Sequence, residues 1–96
     1  MPKLVRDFIP ALMSKTDKPC NFYQASHEEY GQRLKEKLIE EVYEYIKDES
    51  IEELADILEV VEAIIKFKGF KKNELLDIQN NKKQTRGGFS ERMVLA

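Results

Sequence analysis

Glu40-Glu41-Val42-Tyr43-Glu44-Tyr45-Ile46-Lys47-Asp48-Glu49-Ser50-Ile51-Glu52-Glu53-Leu54-Ala55-Asp56 decides how this chain reads. Glu41 and Glu44 stand three residues apart, and so do Glu53 and Asp56. Three residues is close to one helical turn, so each pair lies on one helix face. Between the pairs, Lys47-Asp48-Glu49-Ser50 is a short polar break. The spacing predicts two consecutive helices joined by a tight turn. If they pair antiparallel, the two acidic pairs face one another. Four carboxylates aimed at one point repel unless a cation lies between them. A hard divalent cation held by oxygen ligands, Mg²⁺ with Mn²⁺ as the alternative, is the usual solution.

Working outward, Ser26 is a good N-cap for the first of these helices, with Glu28 and Glu29 in its first turn. Ser26 and Glu29 also fit a capping box. The helix is predicted to run to about Lys47, with an apolar stripe of Tyr30, Leu34, Leu38, Val42, Tyr45 and Ile46. At about 100° per residue, Glu41 falls inside that stripe, Glu44 at its edge and Glu40 one step further out. A carboxylate on a core-facing stripe is costly to bury unless it is paired or binds a metal. Ser50 caps the next helix, predicted to reach about Lys68, with Leu54, Ile57, Leu58, Val61, Ile64 and Ile65 as its stripe and Val60 and Phe67 widening it. Glu53 and Asp56 border that widened face. Gly69 suits the position just after the helix.

A further helix is predicted over about Lys71 to Gln84, and a short one from about Pro10. Thr16-Asp17-Lys18-Pro19 reads as a turn. Cys20 to Ala25 and Arg92 to Leu95 could be extended and pair as a minor β element. The fold class is therefore all-α, a single domain over residues 1–96, built as an antiparallel helical bundle that oligomerisation completes.

Ninety-six residues suffice for one modest core. The single cysteine, Cys20, cannot form an internal disulfide. No apolar run approaches a membrane span, and the opening residues do not read as a signal peptide. A cytoplasmic protein is expected. The net charge of −2 hides a split: His27 to Glu62 holds 13 Asp/Glu and 4 Lys/Arg, a balance of −9, and the rest holds 5 and 12, a balance of +7. An acidic centre with basic flanks suits a metal site surrounded by phosphate-binding residues.

Each feature also has a plain explanation. Glu53 could be the third residue of a capping box with Ser50. Glu40 and Glu44 could be solvated charges paired with Lys37 or Lys47, and Asp56 another surface charge. It is their combination, with Glu41 on the apolar side, that points to a metal. The lone His27 excludes a di-iron site of the Glu-x-x-His type. Gly87-Gly88 is an ordinary turn or a loop whose N–H groups approach phosphates beside Lys83 and Arg86. Nucleic-acid binding through Lys82 to Arg92 is disfavoured by the acidic net charge and the shortness of that stretch.

Taken together, Glu40-Glu41-x-x-Glu44 followed by Glu53-x-x-Asp56 resembles the motif of the all-α nucleoside triphosphate pyrophosphohydrolases, the MazG-like and phosphoribosyl-ATP pyrophosphohydrolase-like superfamily. Lys3-Leu4-Val5-Arg6-Asp7-Phe8-Ile9-Pro10 and Arg86-Gly87-Gly88-Phe89, with Arg92 after it, look like one small subgroup of it. The eight residues between Glu44 and Glu53 make a shorter interval than many members have. The resemblance implies Mg²⁺-dependent hydrolysis between the α- and β-phosphates of a nucleoside triphosphate, giving a monophosphate and pyrophosphate. It implies Glu41, Glu44, Glu53 and Asp56 as metal ligands, and Glu40 as a ligand, an outer partner or a base for water. Glu40, Glu41 and Glu44 form the expected catalytic set. Lys3, Arg6, Lys83, Arg86 and Arg92 are the expected substrate contacts, and a homodimer the expected assembly. The competing expectation is a non-catalytic helical dimerisation module.

Overall fold

The computed structural model describes residues 2–16 and 20–96. These residues form four helices and no strand: α1 (Ile9–Met13), α2 (His27–Lys47), α3 (Ile51–Lys68) and α4 (Lys72–Arg86). The all-α expectation holds, whereas Cys20–Ala25 and residues 92–95 carry no regular structure. Beyond Thr16, the turn expected at 16–19 lies outside the described residues. None of the described helices is long and apolar enough to cross a membrane. The chain divides into two compact units, Met1–Ile64 and Ile65–Ala96.

In the first unit, α2 begins where its capping residues dictate. The Ser26 hydroxyl accepts from the Glu29 N–H at 3.2 Å, and the Ser26 carbonyl accepts from Tyr30 at 2.8 Å. Glu29 does not spend its carboxylate on the box. Its Oε2 accepts from the Tyr23 hydroxyl and from Arg33 Nε. This ties the irregular segment before α2 to the helix surface. At the other end, the Asp48 N–H closes α2 on the Glu44 carbonyl, and Ser50 N–H turns back to Asp48 O at 2.6 Å. Three residues, Asp48 to Ser50, separate α2 from α3.

Leu34 and Val60 are the buried apolar side chains of this unit, at 2% and 8% exposure. Both line one cleft, together with Tyr30 and Lys37 of α2, Ala63 of α3, and Phe8, Ile9 and Leu12 around α1. Glu41 and Asp56 line the same cleft nearer the turn. Carboxylate oxygens of Glu41 on α2 and of Glu53 and Asp56 on α3 lie within 4.8 Å of one another at similar distances from the three-residue turn, so the two helices run antiparallel. Full burial of a leucine contributes about 1.5–3 kcal/mol, so Leu34 is the main apolar anchor.

The buried faces differ from the predicted stripes. On α2 the face runs through Leu34, Lys37, Leu38 and Glu41, while Val42 and Ile46 are exposed. On α3 Val60 is at the centre rather than the margin, with Ile57, Val61 and Ile64 half-buried, while Leu54 and Leu58 are exposed. The sequence stripe was too wide to bury against one partner helix. Each helix buries the part that includes its acids.

In the second unit, α3 ends in a Schellman motif. Gly69, at φ +71°, donates to the Lys66 carbonyl and Phe70 donates to that of Ile65. α4 is solvent-exposed except for the half-buried Leu75. It ends at Gly87, φ +83°, whose N–H donates to the Lys83 carbonyl at 2.8 Å.

Candidate functional site

Glu41, Glu53 and Asp56 each offer a carboxylate oxygen, and these three oxygens lie within 4.8 Å of one another. The helix pair brings them together: Glu41 comes from α2, and Glu53 and Asp56 from successive turns of α3. Glu41 is only 9% exposed. The other two are half-buried. The Glu41 placement follows from the local sequence, because its seven-residue spacing from Leu34 returns it to the same helix face.

Electrostatics mark the same spot. Burial pushes the Glu53 carboxyl up, and the neighbouring carboxylates of Asp56, Glu44, Glu41 and Asp48 push it further. Among the described residues no cation pairs with Glu53. Glu44 is half-buried and stands outside the trio, yet its charge is felt at Glu53.

The other acids of the trio carry counter-charges. Lys37 Nζ lies 3.3 Å from Glu41 Oε1 and 3.2 Å from Glu40 Oε2. Arg6 Nη2 donates to Asp56 Oδ1 at 2.6 Å. Lys3 Nζ reaches Glu40 Oε1 at 3.3 Å. Burial pushes the Glu40 carboxyl up, but hydrogen bonds from Lys37 and Lys3 outweigh it and leave the group below its ordinary value. A carboxylate held this way is a poor proton acceptor, so Glu40 suits an anchoring role better than that of a base.

The structure therefore brings Glu41, Glu53 and Asp56 together, with Lys3, Arg6 and Glu40 beside them. Lys83, Arg86 and Arg92 belong to the second unit and are exposed. Of the two readings of Gly87-Gly88, the Gly87 N–H fits the ordinary turn, since it donates to the Lys83 carbonyl at the end of α4. Sequence reasoning did not single out Glu59 or Tyr30 as site residues, and both line the cleft. Glu59 had a signal, since Asp56-x-x-Glu59 repeats the acid spacing on the same face. The cleft measures about 690 Å³, large enough for a small ligand, and its walls are apolar away from the acids.

Three carboxylates without a sulfur or imidazole ligand form a hard donor set that could hold a divalent cation with room for water or phosphate oxygens. Comparison with protein-family models, with curated proteins and with solved structures returned no match.

Proposed function

We propose that the chain is a Mg²⁺-dependent nucleoside triphosphate pyrophosphohydrolase that cleaves between the α- and β-phosphates, with Mn²⁺ able to substitute. The observation that carries this reading is the meeting of Glu41, Glu53 and Asp56 across two helices, with Glu41 buried. Surface acids occur commonly. Here Glu41 and Asp56 have Lys37 and Arg6 beside them, but among the described residues no cation pairs with Glu53. Burial and the other acids push the Glu53 carboxyl up, and a divalent cation would relieve that repulsion. The motif resemblance supplies the reaction class.

In this reading Glu41, Glu53 and Asp56 hold the metal, and Glu44 joins them or orients them. Bound there, the cation would neutralise the triphosphate and acidify an attacking water. The Lys37 ammonium, 3.3 Å from Glu41 Oε1, fixes that oxygen. Lys3 and Arg6 stand where they can turn to phosphates, and the apolar wall by Tyr30, Leu34 and Val60 can take the base. Lys83, Arg86 and Arg92 are proposed as further phosphate contacts. The enzyme would act in the cytoplasm, where nucleoside triphosphates are found, and as a homodimer. The exposed apolar residues Ile39, Val42, Ile46, Leu54 and Leu58 support the assembly.

Those same residues favour the second reading, a non-catalytic helical dimerisation module. Pyrophosphate release from a panel of nucleoside and deoxynucleoside triphosphates separates the two, with Mg²⁺, Mn²⁺ or EDTA, for wild type and Glu41→Gln. Metal-dependent release that the variant lacks is expected. No release, with no metal-dependent change in thermal stability, would leave the dimerisation module.

A further inference from the structure

Two of the cations on the acids do not belong to the helix pair. Residues 2–6 have no regular structure, and they cross from α2 to α3 before α1 begins. Lys3 reaches Glu40 on α2, and Arg6 reaches Asp56 on α3. Asp56 is one of the three clustered carboxylates. Its Oδ1 already holds a guanidinium nitrogen at 2.6 Å.

A divalent cation and that guanidinium compete for the same carboxylate. Mg²⁺ needs its ligand oxygens at about 2.1 Å in a near-octahedral shell. The guanidinium would then stand a few ångströms from a double positive charge that repels it. We infer that the Lys3–Arg6 strap is an internal counter-cation that a divalent cation displaces. Its two charged side chains close on Asp56 and Glu40 when no metal is present. They swing free when metal binds, and then face the phosphates of an anionic substrate. The inference rests on the metal reading above, which the all-carboxylate donor set fits.

The build of the strap suits this exchange. Leu4 and Val5 are half-buried in the cleft wall and keep the backbone seated. The Arg6 and Asp56 side chains are 57% and 38% exposed, so their pairing is weak and reversible. Lys37 is different: it is 17% exposed, sits on α2 itself, and bridges Glu40 and Glu41 from there.

The test is calorimetric titration of Mg²⁺ into metal-free wild type, Arg6→Gln and Lys3→Gln, with the Arg6 side-chain N–H signal followed by NMR in the wild type. Removing the competitor should tighten Mg²⁺ binding about two- to fivefold in Arg6→Gln, the range an exposed ion pair supplies. Lys3→Gln, whose partner lies outside the trio, should change it by less. In the wild type the Arg6 signal should lose its ion-paired character as Mg²⁺ is added. Unchanged or weaker binding by a folded Arg6→Gln overturns the inference, as does an Arg6 signal indifferent to Mg²⁺. If neither wild type nor variant binds the ion, the metal reading itself fails and takes the strap with it. Binding by wild type with no effect of Arg6 removes the strap alone.

Discussion

The Lys37 ammonium lies 3.3 Å from Oε1 of Glu41, one turn further along the same helix, and both side chains are largely shielded from water. The pair is the charged part of a face that otherwise packs Leu34 and Leu38. Its strength comes from shielding, since an exposed pair at this spacing would contribute a few tenths of a kcal/mol.

Lys37→Met should therefore destabilise the metal-free protein by about 1–3 kcal/mol, because Glu41 keeps its burial and loses its partner. Denaturant unfolding with EDTA measures it. Adding Glu41→Leu to Lys37→Met should recover most of the loss, since replacing both members of a shielded pair by apolar groups is close to neutral. A double variant as unstable as the single one would mean that Lys37 acts through packing of its stem.

Glu53 predicts a pH dependence of unusual sign. Burial first, and then its acidic neighbours, raise its carboxyl above the ordinary value. A raised carboxyl stabilises the folded state below its unfolded pKa, and that contribution is lost as pH rises through the folded one. In EDTA at neutral pH, Glu53→Gln should be the more stable protein, and its advantage should vanish as pH falls below the carboxylate range. In the proposed metal site the order should reverse with saturating Mg²⁺, because wild type alone keeps the Glu53 carboxylate offered to the ion. Thermal melts across pH, with and without the ion, give both comparisons. An advantage for Glu53→Gln that persists at low pH would assign the effect to something other than charge.

Glu29 shows the opposite case. The hydrogen bond from Tyr23, and then that from Arg33, hold its carboxyl below the usual range. A depressed carboxyl contributes stability above its unfolded pKa, and that stability disappears as pH falls through the folded value. Tyr23→Phe removes the larger cause. The Glu29 carboxyl should then titrate closer to its ordinary value by carbon NMR, and acid unfolding should begin at a higher pH. A Glu29 titration identical in both proteins would show that the contact does not persist in solution.

The three long helices were legible because their signals are local. Ser26 and Gly69 fix their ends through hydrogen bonds within a few residues. The short Lys47–Ser50 break predicted the tight turn. Glu41 was legible as a misfit on an apolar stripe. Arg6 with Asp56 and Lys3 with Glu40 were not, since 50 and 37 residues separate the partners and no periodicity links them. The stripes misled for a related reason. Periodicity reports every apolar position, and only a packed neighbour decides which of them is buried.

Ile46 on α2 and Leu58 on α3 are 61% and 65% exposed. Val42 on α2 and Leu54 on α3 accompany them. In the proposed dimer these residues cover their copies in the second chain. A two-fold interface uses each substitution twice. Losing two leucine contacts removes about 3 kcal/mol or more, which weakens association by roughly 100-fold. Leu58→Lys should convert a wild-type dimer to monomer at micromolar concentration in sedimentation velocity, with its helical circular dichroism retained. Lys68→Leu, at the far end of α3, serves as the control and should leave the dimer intact. A wild type that sediments as a monomer would mean that the apolar face serves some contact other than a second copy of this chain.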